Sequence, residues 1–212
     1  MNAAGIVGLL AAYVIGSFPS AYLAGRILKG VDLRTVGSGN LGATNVYREL
    51  GVVPAVVVLV LDALKGAVPT LLLPGLLAAG IQSATSTTAW AVAFGAAAVV
   101  GHAKPVFLLW KGGGKGVATA AGVFLAITPG PAMASVAVFI AIVAVTRFMS
   151  LGSMIAAVAL PVFEWLDAGA SPVFYASVAI AAFVMWAHRT NVLRLRAGTE
   201  PRFGRPGRGD TA

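Results

Sequence analysis

All but one of the chain's 15 Lys and Arg residues fall where every second hydrophobic stretch ends. Arg26, Lys29, Arg34 and Arg48 separate the first two apolar stretches, Lys104, Lys111 and Lys115 follow the third, and Arg147 follows the fifth. Arg189, Arg194, Arg196, Arg202, Arg205 and Arg208 come after the last, and only Lys65 lies inside a stretch. The alternate connections, 79–88, 128–131 and 167–171, hold no Lys or Arg. Basic loops remain on the cytoplasmic side while the chain is inserted. The pattern therefore predicts a chain threaded repeatedly through a bilayer, with its polar, chemically capable loops on one face.

Composition agrees. Hydrophobic residues make up 58% of the 212, charged residues 10%, and the mean hydropathy is +0.90. A water-soluble fold of this size could not place so much apolar surface. One helical crossing takes roughly 20 apolar residues, and crossings are expected near 3–24, 52–78, 88–103, 117–127, 132–146, 151–166 and 172–187. The fold class is then all-α, a polytopic membrane helical bundle of seven transmembrane helices, with the N-terminus outside and the C-terminus cytoplasmic. A single transmembrane helical domain would occupy 1–188, with cytoplasmic loops at 25–50 and 104–116, followed by a cytoplasmic C-terminal segment over 189–212. The runs are continuous in Ala, Val and Leu, without the period-2 alternation of a β-barrel. Thr128-Pro129-Gly130-Pro131 forbids one long helix through the fourth and fifth stretches and predicts a tight hairpin there.

Other classes fall away. The chain has no cysteine, which excludes disulfides, Cys-ligated zinc and thiol catalysis. No basic residue precedes Arg26, which argues against a cleaved signal peptide. The pI of about 10.5 reflects topology and anionic lipid or phosphate rather than nucleic acid. No internal repeat of the transporter kind is visible. The segment 194–212, with Pro201, Pro206, four glycines and five arginines, is expected to be a partly ordered, lipid-facing tail.

Three basic segments carry the chemistry. In 35–48, three glycines permit tight turns and close backbone approach, Ser38, Asn40, Thr44 and Asn45 offer hydroxyls and amides, and Arg48 offers a fixed cationic fork. That set suits an oxyanion, and a glycine-rich turn opening a helix adds free N–H groups. A flexible connecting loop is the alternative. In 101–119, Lys111-Gly112-Gly113-Gly114-Lys115-Gly116 sets a glycine nest between two lysines, a second anion site of the same physical kind. A nucleotide P-loop would need glycine where Leu109 stands and Ser or Thr where Gly116 stands, so that reading is excluded. Solvated lysines at a membrane surface remain the plain reading. In 188–200, His188 and Asn191 share a helix face, and Glu200 is a lone acid among arginines.

Ionisable residues inside stretches need their own account, because intramembrane charge is costly. Asp62 and Lys65, three apart in the second stretch, can pair; a structural clasp orienting the first loop is preferred over a direct functional role. Glu164 and Asp167, near an uncharged connection, are expected to be solvated.

With these residues the sequence resembles the bacterial acyl-phosphate:glycerol-3-phosphate acyltransferases of the PlsY type. That family carries a Ser-Gly-x-Asn/Thr-Asn/Arg motif, a Gly-Gly-Lys-Gly motif and a His…Asn…Glu motif on cytoplasmic loops, and all three occur here in order. The match runs from Ser17 to Glu200 and takes in 16–22 and Asp62-x-x-Lys65-Gly66. The resemblance implies an inner-membrane enzyme of phospholipid synthesis, its site facing the cytoplasm. It would transfer a fatty acyl group from acyl phosphate to the 1-hydroxyl of glycerol 3-phosphate, giving lysophosphatidate and inorganic phosphate, with no metal or other cofactor. Carried onto matching positions, it implies catalytic roles for Ser38, Arg48, His188 and Asn191. It gives phosphate contacts to Ser38, Arg48, Lys115 and Asn191, and a place for His188 beside the reacting hydroxyl. Gly112, Gly113, Gly114 and Gly116 match the acceptor-binding glycine motif; which of Lys111 and Lys115 meets phosphate stays open.

The chemistry asked for is compatible with such loops. A mixed anhydride has a good leaving group, so catalysis depends on holding two phosphates together and screening their repulsion more than on a protein nucleophile. Neither His102 nor His188 is followed five residues later by Asp, which excludes a His-x4-Asp mechanism. The proton acceptor is His188 or a phosphate oxygen of the donor, the second being preferred because no carboxylate is evident to orient the histidine. The competing class is a small membrane anion transporter using broken helices and the Asp62–Lys65 pair. It would place charge near the midplane and on both sides, unlike the one-sided pattern here.

Overall fold

The computed structural model describes residues 3–77 and 84–204. Over these residues the structure is helical, and the breaks between helices follow from local chemistry. Helix α1 (Ala3–Gly16) is followed by α2 (Ser20–Lys29) in one apolar span of 27 residues. The break falls at 17–19, where Pro19 has no N–H to continue the ladder and the Ser17 hydroxyl folds back to the Tyr13 carbonyl at 2.8 Å. Short helix α3 (Ala43–Leu50) joins the long α4 (Val52–Leu76) through Gly51, whose φ of +89° suits glycine. Helix α5 (Ala84–Ala103), a 3-10 turn (Val106–Leu108) and α6 (Val117–Ile127) complete the first half. Then come α7 (Pro129–Thr146), α8 (Met149–Ala168), α9 (Pro172–Ala187) and α10 (Arg189–Arg196).

Among the described residues, five helical segments, 3–29, 52–76, 87–108, 129–146 and 149–168, are long and apolar enough to cross a membrane, and a sixth follows if α9 and α10, bent by 56°, count as one span. Helix α6 is apolar but has only 11 residues; at 1.5 Å per residue it reaches about 16 Å, short of a hydrocarbon core of about 30 Å. Its end at Ile127 and the restart of the helix at Pro129 leave Thr128 as the break, at the Thr-Pro-Gly-Pro sequence.

The residues group into two compact units, 1–129 and 130–212. In the first, α4 packs on α5 and α6, and α1 packs on α5. Small residues permit this approach: a Cβ at Gly122 would run into the Ala63 carbonyl, and one at Gly66 into the Thr119 carbonyl. Under the basic loops lies a compact apolar cluster of Ala21, Leu33, Leu41, Val46, Ala55, Val58 and Leu108, which seats α3 against α2 and α4. Leu and Val side chains on the outer faces of α1 and α4 are exposed, as lipid-facing positions would be.

In the second unit α8 packs on α9. Here one expectation is corrected: Asp167 is exposed, but Glu164 is fully buried at 0%, because its position on α8 faces the helix pack rather than the connection. The described part of the segment beyond 188, 189–204, packs within this unit. The Phe203 N–H donates to the Arg147 carbonyl at 2.7 Å, and the Arg202 guanidinium sits 5.2 Å from the Phe148 ring centroid. Positions 205–212 of the tail, and 78–83 of the first uncharged connection, lie outside the described residues.

Candidate active site

The first basic loop is folded by two side chains. Asn45, 1% exposed, donates from Nδ2 to the carbonyls of Leu33 (3.1 Å) and Val36 (3.3 Å), while its Oδ1 accepts from the Ser38 N–H at 2.9 Å. Its amide is thus directed at the loop's own backbone. Gly37, at φ +59°, passes so close that a Cβ there would meet Asn45 and Glu49. The second organiser is Arg34, forked onto Asp32 with Nη2 at 2.6 Å and Nε at 3.0 Å. The hydrogen bond from Arg34 holds the Asp32 carboxyl at about 2, below its ordinary 3.8, against a smaller opposing effect of burial. Around this frame Ser38 and Arg48 are exposed, and Asn40 and Thr44 are half-buried.

The same arginine ties the first loop to the second. Arg34 Nη1 donates to the Lys111 carbonyl at 3.1 Å, and the Leu41 N–H donates to the Gly113 carbonyl at 3.2 Å. Gly112 adopts φ +87°, and its missing side chain leaves the space through which the Arg34 stem passes. Gly116, at φ +79°, ends the turn and begins α6. Lys111 is exposed, Lys115 half-buried and Gly116 buried. The structure therefore places Ser38 and the run 111–116 on loops laced together by backbone and guanidinium bonds, with Arg48 in the last turn of α3 beside them. Beside them Trp110 Nε1 donates to the Tyr13 hydroxyl (2.6 Å), which donates to the Lys104 carbonyl (2.8 Å).

Beneath these loops is a buried polar group. Lys65 Nζ meets Asp62 Oδ1 at 2.8 Å and also donates to the Phe18 carbonyl at 3.1 Å, while Ser20 Oγ donates to the same Asp62 oxygen at 2.5 Å. The expected clasp therefore closes on the helix break at 17–19. His102, at the end of α5 and 5% exposed, points Nδ1 toward Asp62 Oδ1 at 3.8 Å. A small cavity touches Ser17, Ser20, Lys65 and His102 from below and Leu41, Pro105 and Gly113 from above. Ser20 and His102 are absent from the sequence-based site. Their only signals there were the seven-residue stretch 16–22 and a histidine just before Lys104-Pro105.

In the second unit the polar group is built differently. His188 sits at the bend between α9 and α10, its backbone at φ −97°, ψ 8° and its ring 3% exposed. Nδ1 lies 2.8 Å from the Val184 carbonyl. A carbonyl can only accept, so Nδ1 carries the proton and Nε2 the lone pair in the neutral ring. Asn191 Nδ2 donates to Glu200 Oε1 and Arg194 Nε to Glu200 Oε2, both at 2.7 Å. Burial opposes ionisation of Glu200, but Ser150, Asn191 and Arg194 together hold its carboxyl below the ordinary range. The Ser150 hydroxyl faces that carboxylate outside strict hydrogen-bond geometry, so Asn191 and Arg194 are its firm partners. Glu200 thus positions Asn191, and a backbone carbonyl, invisible in sequence, orients His188. Among the described residues no cluster of His, Cys, Asp and Glu is suited to a metal ion.

Helices of this length and polarity, with basic glycine loops over a buried polar group, define an integral-membrane acyltransferase once set beside known proteins. The chain belongs to the glycerol-3-phosphate acyltransferase family, matched over residues 6–198. It is 45% identical over 196 residues to the glycerol-3-phosphate acyltransferase of Synechococcus sp. strain CC9902, covering 92% of this chain and 94% of that one. Identity to the Geobacter sulfurreducens protein of the same name is 46% over 192 residues, covering 91% and 94%. The fold is similar to the crystal structure of PlsY (YgiH), an integral membrane glycerol 3-phosphate acyltransferase, in its glycerol 3-phosphate form. There the TM-score is 0.81 and the identity 40%, over 94% of this chain and 96% of that one. The lysophosphatidic acid form of PlsY matches with a TM-score of 0.80 and 38% identity, over 94% and 95%.

Proposed function

We propose that this protein transfers a fatty acyl group from acyl phosphate to the 1-hydroxyl of glycerol 3-phosphate, releasing lysophosphatidate and inorganic phosphate, as the first acylation of bacterial phospholipid synthesis. The observation that carries the reading is the lacing of the 35–48 loop to the 111–116 glycine turn through Arg34 and Leu41, in a member of the glycerol-3-phosphate acyltransferase family. Exposed Ser38 and Arg48 and the two lysines stand near a turn whose Gly112 and Gly116 have the positive φ that favours glycine, a surface suited to phosphate.

The attacking hydroxyl oxygen of glycerol 3-phosphate bonds to the acyl carbonyl carbon, the acyl carbon–oxygen bond to phosphate breaks, and the hydroxyl proton leaves on the departing phosphate. Ser38, Arg48, Lys115 and Asn191 bind phosphate oxygens and screen the repulsion between the two substrates. Lys111, more exposed than Lys115, serves at the rim, while Asn40 and Thr44 line the loop and Asn45 holds it. Nε2 of His188, bearing the lone pair, accepts the hydroxyl's hydrogen bond in the bound acceptor and aims its oxygen; as that oxygen attacks, the proton is released from this bond to the departing phosphate. A carbonyl behind the ring orients it without stabilising an imidazolium as a carboxylate would, which keeps the donor phosphate as final proton acceptor. No metal or other cofactor takes part.

The alternating charge supports seven passes, with the N-terminus outside and 25–50, 104–116 and 189–212 cytoplasmic, in a bacterial inner membrane. In that arrangement the glycine turn before α6 lies at the cytoplasmic face, where an acyl phosphate in the membrane presents its phosphate. The test is incubation of the purified protein with acyl phosphate and glycerol 3-phosphate in lipid. Lysophosphatidate and phosphate formed in equal amounts are expected; acylation from a carrier thioester but not from acyl phosphate would overturn the donor assignment.

A further inference from the structure

We propose that His102 is a positioning residue for the acceptor-binding glycine turn, its imidazole filling the side-chain space of Gly114, and that Ser20, Asp62 and Lys65 hold it there. The inference rests on the proposed use of the 111–116 turn for glycerol 3-phosphate.

The turn lies directly on the end of α5. The Gly114 N–H donates to the His102 carbonyl at 3.1 Å, and a Cβ built at Gly114 would land on the His102 ring, overlapping Nε2 and Cε1. At Gly113 a Cβ would strike the carbonyls of Ala103 and His102. Neither glycine has a positive φ, so backbone torsion alone does not exclude other residues. Alanine is excluded at both positions by what lies beneath. Gly112 and Gly116, with φ of +87° and +79°, are glycine for the different reason of torsion.

The ring below is enclosed and faces a fixed carboxylate. His102 is 5% exposed, Nδ1 has no hydrogen-bond partner, and it faces Asp62 Oδ1 at 3.8 Å. That oxygen already accepts from Ser20 and pairs with Lys65, which in turn donates to the Phe18 carbonyl. A buried ion pair contributes little net stability, because desolvation offsets its attraction, and its best-attested use is to fix one arrangement. Here the arrangement fixed is the line from the 17–19 break through Asp62 to the His102 ring and so to the backbone of 113–114. Ser20, Lys65, His102 and Gly113 also line one small cavity, which places the carboxylate group and the turn side by side.

Steric complementarity of this kind is read by a double-mutant cycle. Kinetics with acyl phosphate and glycerol 3-phosphate would be measured for wild type, Gly114→Ala, His102→Ala and the double variant, and for Asp62→Asn. The Gly114→Ala change should raise the KM for glycerol 3-phosphate at least about tenfold, with kcat and the KM for acyl phosphate changed less than about threefold. In the double variant the missing ring admits the methyl group, so the KM should recover most of the way to that of His102→Ala. Asp62→Asn should raise the same KM by a smaller factor. Amide hydrogen exchange of the 111–116 peptide, measured on the same variants in detergent, should quicken in His102→Ala and Asp62→Asn, and it reports on the turn even if turnover is lost. Independent effects in the double variant with unchanged exchange would overturn the proposal. Absence of any glycerol 3-phosphate turnover in the folded wild type would instead defeat the functional reading.

Discussion

The two polar regions reach the same kind of chemistry by opposite construction. In the first unit the segments 35–48 and 104–116 are joined through backbone groups: the buried Asn45 amide and the Arg34 guanidinium bind loop carbonyls, the Leu41 N–H donates to the Gly113 carbonyl, glycines give the torsion or the clearance, and exposed Ser38, Arg48 and Lys111 stand on that frame. In the second unit the group is made of side chains. His188 and Asn191 are buried, the first held by the Val184 carbonyl and the second by Glu200, which also grips Arg194. The glycine turn fails on gain of a Cβ; the group in the second unit fails on loss of a side chain. Phosphate, carrying several acceptor oxygens, is well matched by the first kind, whereas aiming a single hydroxyl calls for the second.

This contrast is most sharply tested at His188. His188→Ala should lower kcat by about 10²-fold, the low end of the 10²–10⁴ that removal of a general base costs, because the donor phosphate still takes the proton. The pH–rate profile decides. An inflection near pH 6.5, the ordinary histidine value, present in wild-type kcat and absent from the folded variant, would make His188 the base and remove the substrate-assisted reading.

Next in size is Glu200. Glu200→Ala strands the buried Asn191 amide and frees Arg194, two hydrogen bonds to a charged group, each typically worth about 1.5–3 kcal/mol. A loss of about 2 kcal/mol in phosphate positioning corresponds to roughly thirtyfold in kcat/KM, with a lowered Tm in detergent. Glu200→Gln, whose carbonyl can still accept from Asn191, should lie between. Equal activity of the two variants would show that Arg194, not Asn191, is what Glu200 is there to hold.

Smaller again is Arg48→Lys. The exposed guanidinium offers two parallel donors to phosphate where an ammonium offers a point charge, and activity should fall about tenfold, roughly 1.4 kcal/mol of transition-state binding. Wild-type kinetics would reduce the 35–48 loop to a connector.

The same contrast explains what could be read from sequence. Backbone turns write themselves into the chain, since only glycine meets their demands, and the glycines around Ser38 and at 111–116 made the turns there legible in the sequence. Lys65 was equally legible, because a lone cation in an apolar stretch needs a partner, and Asp62 stood three residues away. Side-chain sites depend on tertiary approach. Val184 offers His188 only a carbonyl, which every residue has, and nothing in the pattern singled it out. Ser20 and His102 join Asp62 from helices 42 and 40 residues away in sequence (20 to 62, 62 to 102). Glu164 sits on the buried face of a helix whose apolar residues run all round, so sequence period could not assign its side. On α6 composition and length diverge: apolar composition marks it as membrane-embedded, but its 11 residues set its reach.

The smallest effect expected is at Asp32, which braces the lacing arginine. Its carboxyl is held at about 2 against an ordinary 3.8, principally by the Arg34 hydrogen bond. A depressed folded-state value means that the carboxylate form stabilises the fold: the contribution is complete above pH 3.8 and is lost as the pH falls toward 2. Both side chains are partly solvated, 30% exposed for Arg34 and 12% for Asp32, and exposed pairs contribute at most about 1 kcal/mol. The carboxyl of Glu200 is depressed as well, so comparison with Asp32→Asn isolates the first loop. Tm should be slightly lower for the variant near neutral pH, the gap should close between pH 4 and 2, and high salt should shrink it. Because Arg34 retains its bond to the Lys111 carbonyl, the KM for glycerol 3-phosphate should rise no more than about threefold. A KM change as large as that of Arg48→Lys would mean that the Asp32–Arg34 fork, more than the backbone bond from Leu41 to Gly113, sets how the two loops meet.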